Sequence, residues 1–216
     1  MTKFYETEIG HRILREEFWP QELKQYRKAE DNYLLKVVKP NSIILDVGCG
    51  EGRHLKLLAK ISKKLFGIDY SKSILEIGRR ELSNFNNVEL FLEEANKTHF
   101  QNNYFDYSIC MFNTFGNIPQ PEQKSVLNEL KRITKKDGKI IISVYSENAS
   151  EIQKSFYRNI GLDIIKIDDN FVYTNQDFKS ERFTKEKLEK LFARVNLKAK
   201  IIQLTPISYV CEIDNP

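Results

Sequence analysis

Residues 43–54 read Ile-Ile-Leu-Asp-Val-Gly-Cys-Gly-Glu-Gly-Arg-His and carry the clearest structural pattern of the chain. The first five of these residues are aliphatic apart from one aspartate and predict a buried β-strand. Three glycines follow within five residues, and the residues after them have the pattern of a helix. Because glycine has no Cβ atom, the chain can turn sharply here and a ligand can approach the backbone. We therefore expect a ligand-binding loop at the carboxyl end of a strand, which is where open parallel sheets bind their ligands.

The spacing of these glycines argues against two phosphate-binding loops. A dinucleotide-binding loop, Gly-x-Gly-x-x-Gly, has its third glycine one residue later, and a P-loop has Gly-Lys-Ser/Thr, which does not follow Gly52. Asp46 precedes the first glycine, Gly48, by two residues. A carboxylate at this position repels phosphate and favours a ligand that carries positive charge, such as an ammonium or a sulfonium.

Short apolar segments alternate with amphipathic ones from residue 42 to residue 145, which predicts βαβ units and a parallel sheet covered on both faces. The predicted strands are residues 42–47, 64–69, 88–93, 107–113 and 139–145, and the predicted helices are 20–38, 53–62, 71–82 and 121–134. The alternation then stops. It is followed by a helix at 149–159, an antiparallel hairpin at 162–167 and 171–178, a helix at 184–195 and a closing hairpin at 198–204 and 207–213.

A second carboxylate stands at the end of the second predicted strand, in Gly-Ile-Asp-Tyr-Ser, residues 67–71. Asp69 lies close to the roughly 20-residue offset from the glycines at which an acidic side chain binds ribose hydroxyls. One carboxylate can accept both hydroxyls, so an adenosine with free 2′ and 3′ hydroxyls is favoured. Glu94 follows the third strand, where it could accept the adenine amino group.

These segments together resemble the class I S-adenosylmethionine-dependent methyltransferases. "LDVGCGEGRH" is similar to the first motif of that family and "GIDYS" to the second, while "EEANKTHF" and "YFDYSICMFNTFGNI" resemble its third- and fourth-strand segments. The resemblance implies an α/β fold: a Rossmann-like, seven-stranded, mostly parallel sheet with an antiparallel last strand and helices on both faces. An N-terminal helical arm and an inserted β-hairpin are expected in addition.

The resemblance also assigns the cofactor, S-adenosyl-L-methionine, and its ligands. The backbone of residues 48–52 would hold the methionine part, Asp69 the ribose and Glu94 the adenine edge, although aspartate is commoner than glutamate at this last position. The full set of expected cofactor-binding residues is Asp46, Gly48, Cys49, Gly50, Gly52, Asp69, Tyr70, Glu94, Ala95 and Asn113.

We expect one methyltransferase domain over residues 1–216. Its expected parts are an N-terminal helical arm or lid (1–38), a cofactor-binding core (39–146), a substrate-shaping insertion (147–183) and a terminal helix with a β-hairpin (184–216). The methyl acceptor is expected among the arm, the loop after the fourth strand and the insertion, with Tyr145, at the end of the fifth strand, facing the same crevice. The arm and the insertion are rich in aromatic residues, which could bind an amine or exclude water but more simply pack. The candidate acceptor-binding residues are Tyr5, Trp19, Thr114, Tyr145 and Tyr173.

The expected reaction is an in-line displacement that carries the methyl group to a small-molecule acceptor, because "FNTFGN" resembles the small-molecule members of the family. The acceptor atom and a general base stay unassigned. An RNA or protein methyltransferase with the same cofactor core is the alternative, and a non-catalytic cofactor-binding scaffold is a weaker one.

Composition and charge indicate whether nucleic acid, metal or membrane partners are expected. The net charge is +4 with scattered lysines, so binding to nucleic acid is not favoured. Three cysteines far apart suggest neither a disulfide framework nor a metal site. No apolar stretch approaches the roughly 20 residues that span a bilayer, and the N-terminus has no apolar secretory segment, so a cytoplasmic protein is expected. The sequence does not indicate an oligomeric state.

Overall fold

The computed structural model describes residues 3–216, so the first two residues of the predicted arm lie outside the described residues. The α-helices of the described chain are α1 (Glu8–Arg12), α2 (Gln21–Val37), α3 (Arg53–Leu58), α4 (Lys72–Glu81), α5 (Thr114–Asn117), α6 (Gln120–Ile133), α7 (Ser150–Asn159) and α8 (Lys185–Ala193). The strands are β1 (Ile43–Val47), β2 (Lys64–Asp69), β3 (Val88–Leu92), β4 (Phe105–Cys110), β5 (Thr134–Tyr145), β6 (Ile164–Ile167), β7 (Phe171–Thr174), β8 (Lys179–Glu181), β9 (Ala199–Thr205) and β10 (Ser208–Asp214). Short 3₁₀ turns occur at Lys3–Glu6, Glu16–Phe18 and Glu147–Ala149.

Seven strands form the main sheet in the order β3-β2-β1-β4-β5-β10-β9. The first five are parallel to one another, and β10 runs antiparallel to both β5 and β9. The strand order reverses between β1 and β4, which is the position where open α/β sheets bind ligands. The predicted mostly parallel sheet with an antiparallel last strand is confirmed.

Strand β5 shows how the sheet is buried on both faces. Ile140, Ile142 and Val144 belong to the core cluster that includes α6 and α8, whereas Ile141 belongs to the cluster that includes α2 and α3. All four side chains are fully buried. The continuous apolar run therefore follows from the period of two along a strand that has helices on both sides.

The insertion forms a second, three-stranded antiparallel sheet in the order β6-β7-β8. The predicted hairpin is confirmed as β6 and β7, but β8 was not predicted, because Lys-Ser-Glu has no apolar pattern. Ser180 and Glu181 of β8 are nevertheless fully buried. A third core cluster joins the arm to the insertion and contains Phe4, Trp19 and Phe178.

Several predicted boundaries were wrong, among them the end of α3, both ends of β4 and the junction of α6 with β5. The helix predicted to continue to Thr134 ends at Ile133, and β5 begins at once, since Thr134 pairs with Phe105 of β4. The short helix α5 was not predicted, because a four-residue helix has too few residues to show a period. The predicted cap of α4 is present, because the Ser71 hydroxyl accepts a hydrogen bond from the Ile74 N–H.

Cys49, Cys110 and Cys211 are buried free thiols. Between residues 3 and 216, no three or more histidine, cysteine, aspartate and glutamate side chains are placed to hold a metal ion. In the same part of the chain, no helix is both long enough and apolar enough to cross a bilayer.

Candidate active site

The glycine loop between β1 and α3 has left-handed backbone at its three glycines, with φ of +67° at Gly48, +57° at Gly50 and +85° at Gly52. A Cβ atom at Gly48 would lie 2.3 Å from Cγ2 of Thr114, so close packing requires glycine here. A Cβ atom at Gly50 would instead meet no atom beyond its adjoining residues nearer than Leu14 Cδ2, at 3.6 Å. The loop is therefore packed against Thr114 at one end and open at Gly50.

Asp69, the last residue of β2, fixes this loop. Its Oδ2 atom accepts a hydrogen bond from the Gly50 N–H at 3.0 Å, and its Oδ1 atom accepts one from the Ser71 N–H at 2.9 Å. Burial raises the pKa of Asp69 above its ordinary value, and the nearby Asp46 adds to the increase, although the backbone hydrogen bonds oppose it. The carboxyl group is thus held at the mouth of the loop in an environment that disfavours its charge.

Asp46 lies behind the loop. Its side chain is 1% exposed, and its Oδ2 atom lies 3.4 Å from Nδ1 of His54 without a hydrogen bond of ordinary geometry in the described chain. Burial and the adjacent Arg53 act to lower the pKa of His54, but Asp46 and Glu30 outweigh them, so this pKa lies above its ordinary value. The Asp46 carboxylate therefore lies against His54, and Asp46 does not line the cavity described next.

A cavity opens where β1, β2 and β4 end. We call the part formed by the strand ends the strand-end wall; its residues are Val47, Gly48, Cys49, Gly50, Ile68, Asp69, Tyr70, Glu93 and Ala95. We call the part formed by the arm and the insertion the cover; its residues are Tyr5, Ile13, Leu14, Trp19, Asp177, Phe178 and Lys179. The remaining lining residues are Arg27, Glu51, Arg53, His54, Ile74, Met111, Phe112, Thr114, Asn117, Ile118 and Pro119.

Six of the ten expected cofactor-binding residues line this cavity, namely Gly48, Cys49, Gly50, Asp69, Tyr70 and Ala95. Asp46, Gly52, Glu94 and Asn113 do not. Glu94 is exposed to solvent, whereas its neighbour Glu93 lines the cavity and accepts a hydrogen bond from the His99 N–H at 3.3 Å. The segment after β3 therefore reaches the cavity, but through residues on either side of Glu94.

Asn113 supports the turn after β4. It is 1% exposed; its Oδ1 atom accepts a hydrogen bond from the Tyr145 N–H at 2.8 Å, and its Nδ2 atom donates one to Ser180 Oγ at 2.9 Å. Phe112 and Asn113 both have left-handed backbone, with φ of +53° and +58°. The Asn113 side chain thus ties a strained turn to β5 and to the insertion.

Of the candidate acceptor-binding residues, Tyr5, Trp19 and Thr114 line the cavity. The Tyr5 hydroxyl accepts a hydrogen bond from Asn117 Nδ2 at 3.0 Å, and burial raises the pKa of Tyr5 well above its ordinary value. Tyr145 is 3% exposed and lies in the core, and Tyr173 lies on β7; neither lines the cavity.

Several lining residues were not predicted, above all the two guanidinium groups. Arg27 lies over the ring of Trp19, at 5.5 Å, and Arg53 lies over the ring of Phe112, at 5.4 Å. Arg53 directly follows the glycine loop, and that position could have identified it. Arg27 carries no comparable signal, because it is one of several cations on an amphipathic helix.

Residues 44–138 match a family model described as a methyltransferase domain. The relatives include proteins named demethylmenaquinone methyltransferase from Staphylococcus saprophyticus and Staphylococcus haemolyticus. The first is 31% identical over 124 residues, 56% of this chain and 52% of the relative. The second is 30% identical over 124 residues, 56% of this chain and 51% of the relative. The chain thus spans about half the length of these relatives.

Solved structures share the fold. A Pyrococcus horikoshii protein matches with a TM-score of 0.75 and 21% identity over 96% of this chain and 99% of its own. An S-adenosylmethionine-dependent methyltransferase from Aquifex aeolicus matches with a TM-score of 0.69 and 16% identity over 97% and 100%. The 1,6-didemethyltoxoflavin-N1-methyltransferase of Burkholderia thailandensis, solved with its heterocycle and S-adenosylhomocysteine, matches with a TM-score of 0.70 and 12% identity over 99% and 84%.

The motif order in the sequence, the sheet topology and the matched domain agree with one another. Residues 44–138 match a methyltransferase domain within a sheet of Rossmann-like topology, which supports the resemblance to the class I S-adenosylmethionine-dependent methyltransferases.

Proposed function

We propose that this protein transfers a methyl group from S-adenosylmethionine to a small-molecule acceptor. One observation carries the proposal: the open glycine loop is tied to Asp69 through the Gly50 N–H, at the cavity where β1 and β2 end. This arrangement would bring bare backbone and a carboxylate suited to ribose hydroxyls to one ligand.

The residues of the cavity fit the chemistry of this cofactor. The space at Gly50, where a Cβ atom would be 3.6 Å from Leu14, suits the methionine part. Asp69 would accept the ribose hydroxyls. Arg53 lies on the same side of the cavity as the glycine loop and would face the methionine carboxylate.

For the adenine ring, the sequence points to Glu94. We propose that the adenine edge is bound by the segment 93–95 as a whole, because Glu93 and Ala95 line the cavity while the Glu94 side chain is exposed. A backbone group at Ala95 can recognise the ring without a long, mobile side chain.

When bound, the cofactor supplies an activated methyl group on a sulfonium, so the protein has to align the acceptor and exclude water. The cover suits both purposes, because Tyr5, Leu14 and Trp19 line the same cavity as the glycine loop. We assign no general base. His54 is the histidine that lines the cavity, and its two ring nitrogens face Asp46 and Arg53.

Two relationships support a small acceptor. The curated relatives are named as methyltransferases of demethylmenaquinone, and the Burkholderia thailandensis enzyme was solved with a small heterocycle. The cover of this chain is also largely apolar and aromatic, which favours a flat organic molecule over a charged polymer.

Calorimetric titration with S-adenosylhomocysteine, with NADH as the control ligand, tests the cofactor assignment. We expect one molecule of S-adenosylhomocysteine to bind per chain and NADH not to bind. Binding of NADH alone would overturn the proposal. A screen of amines, thiols, carboxylates, phenols and unmodified RNA for release of S-adenosylhomocysteine then tests the acceptor, and turnover of RNA alone would replace the small molecule with a polymer.

A further inference from the structure

Glu30 is a buried carboxylate that does not line the cavity but contacts residues that do. It lies on α2, its side chain is fully buried, and both of its oxygen atoms have partners on other elements. A carboxylate with no solvent contact is costly unless it is fully paired, so this position has a specific structural task.

The Oε1 atom of Glu30 fixes the turn after β4. It accepts a hydrogen bond from the Phe112 N–H at 2.7 Å and another from the Ser143 hydroxyl. The Ser143 oxygen also accepts hydrogen bonds from Tyr26 at 3.0 Å and from the Phe112 N–H at 2.8 Å. Phe112 and Asn113 have positive φ, a conformation that non-glycine residues keep only when their surroundings enforce it.

The Oε2 atom of Glu30 fixes the residues after the glycine loop. It accepts a hydrogen bond from Arg53 Nη2 at 2.9 Å and lies 3.8 Å from His54 Nε2. The Arg53 guanidinium also binds Asp31, one residue after Glu30, and lies over the ring of Phe112. The Glu30 carboxylate therefore connects Phe112, in the turn after β4, to Arg53, which follows the glycine loop. Phe112 and Arg53 both line the cavity.

Glu30 stays ionised in this environment. Burial acts to raise its pKa, but the hydrogen bonds and charges of His54 and Arg53, with Ser143, outweigh burial and leave the pKa below its ordinary value. At neutral pH Glu30 therefore carries the negative charge that pairs with the Arg53 guanidinium.

We propose that Glu30 is a positioning residue of the cofactor site, which couples helix α2 to the turn at Phe112 and to Arg53 and so sets the shape of the cavity beside the glycine loop. This inference rests on the proposed function. Glu30 touches neither cofactor nor acceptor, and it acts through the residues that do.

The substitution Glu30→Gln tests this role. A carboxamide keeps the size of the side chain but has one acceptor instead of two, so the hydrogen bond to either the Phe112 N–H or Arg53 is lost. We expect the affinity for S-adenosylhomocysteine, measured by calorimetry, to fall by about tenfold, because a displaced Phe112 turn or Arg53 side chain changes the shape of the cavity.

The fluorescence of Trp19 gives a second readout that a merely structural role would not change. Trp19 is the one tryptophan of the sequence, and its ring lies 5.0 Å from that of Phe112 on the cavity. If Phe112 shifts in Glu30→Gln, the emission of Trp19 moves to longer wavelength. The fluorescence experiment needs no ligand, so it tests the positioning role even if the cofactor assignment fails.

Glu129→Gln is the matched control. Glu129 is 8% exposed, binds Arg132 and accepts a hydrogen bond from the Thr98 N–H at 2.7 Å, but none of these residues lines the cavity. We expect this variant to lose thermal stability without any change in ligand affinity or in Trp19 emission. An unchanged affinity and an unchanged emission in folded Glu30→Gln would overturn the inference.

Ser143→Ala keeps the inference testable if Glu30→Gln does not fold. It leaves the Glu30–Arg53 pair intact and removes a hydroxyl that binds both Glu30 and the Phe112 N–H. We expect a smaller loss of S-adenosylhomocysteine affinity and a smaller shift of emission in the same direction. Wild-type values for both would overturn the inference, whereas failure of the wild-type protein to bind S-adenosylhomocysteine would contradict the proposed function instead.

Discussion

The strand-end wall and the cover enclose the same cavity through different kinds of contact. On the strand-end wall, Gly50 and Asp69 meet through a main-chain N–H group, and the geometry depends on the backbone of the glycine loop and on the pairing of the adjacent strands β1 and β2. On the cover, Tyr5 and Phe178 meet as aromatic rings 5.9 Å apart, although they are far apart in the chain. Backbone contacts at strand ends tolerate few substitutions, whereas packed rings tolerate several.

This contrast predicts a gradient of effects. Changes on the strand-end wall should abolish or strongly weaken cofactor binding, and changes on the cover should have small effects on cofactor binding. Substitutions at Gly50, Asp69 and Tyr5 should therefore weaken cofactor binding to decreasing extents.

Gly50→Leu should abolish detectable binding of S-adenosylhomocysteine, because its side chain would fill the open space between the loop and Leu14. Left-handed backbone should cost the variant about 1–2 kcal/mol in the free energy of unfolding. Gly161→Leu is the control: Gly161 also has positive φ, +92°, lies outside the cavity lining and faces only the end of the Arg12 side chain. Equal unfolding free energies with binding lost only in Gly50→Leu would support the assignment, and retained binding in Gly50→Leu would contradict it.

Asp69→Asn should weaken binding of S-adenosylhomocysteine by about 10- to 100-fold, because one acceptor for the ribose hydroxyls and the charge are lost. Asp106→Asn is the matched control, since Asp106 also accepts a backbone hydrogen bond, from the Ile43 N–H at 2.7 Å, and does not line the cavity. Calorimetry on both variants separates the loss of a ribose contact from the loss of a backbone hydrogen bond. An affinity for Asp69→Asn within twofold of the wild type would remove Asp69 from the ribose site.

The pH dependence of binding should report the raised pKa of Asp69. Burial raises this pKa, so the carboxyl group takes up a proton at a higher pH than an ordinary aspartate does. A protonated carboxyl accepts fewer hydroxyl groups, so the affinity for S-adenosylhomocysteine should fall as the pH decreases through this pKa and recover above it. Titrations over a pH series should show this decrease in the wild type and in Asp106→Asn but a flatter profile in Asp69→Asn. A wild-type profile in Asp69→Asn would assign the titration to another group.

Tyr5→Phe on the cover should have the smallest effect. It removes a hydroxyl that accepts one neutral hydrogen bond, from Asn117, which is typically worth about 1 kcal/mol, so the affinity for S-adenosylhomocysteine should change by less than about tenfold. Tyr33→Phe, which removes a hydrogen bond to Glu212 away from the cavity, is the control for stability. A loss in Tyr5→Phe as large as that in Asp69→Asn would erase the proposed difference between cover and strand-end wall.

The same contrast explains what could be predicted from the sequence. β1, β2 and the loop at Gly48 were predictable because short local patterns, an apolar run and a glycine cluster, specify them. Asp69 was predictable because it ends an apolar run at a known distance along the chain from the glycine cluster. Strand β8 was not, because three polar residues become a buried strand only when the tertiary structure supplies partners for them.

The site residues divide in the same way. Arg27 and Phe178 lie on the cavity because distant helices, loops and rings pack together, and no local pattern encodes such packing. Tyr145 was expected at the crevice because it ends β5, yet the arm packs against it, with the Tyr26 ring 5.8 Å away. Positions set by spacing within one segment were thus easier to predict than contacts between distant segments, although Tyr5 and Trp19 of the cover were also expected near the cavity and line it.

A crystal structure of the protein soaked with S-adenosylhomocysteine is the most direct test of the central claim. We expect both ribose hydroxyls to donate hydrogen bonds to Asp69 and the amino-acid tail to lie along the backbone at Gly50. A nucleoside bound elsewhere on the chain, or electron density in the cavity with the ribose away from Asp69, would contradict that claim.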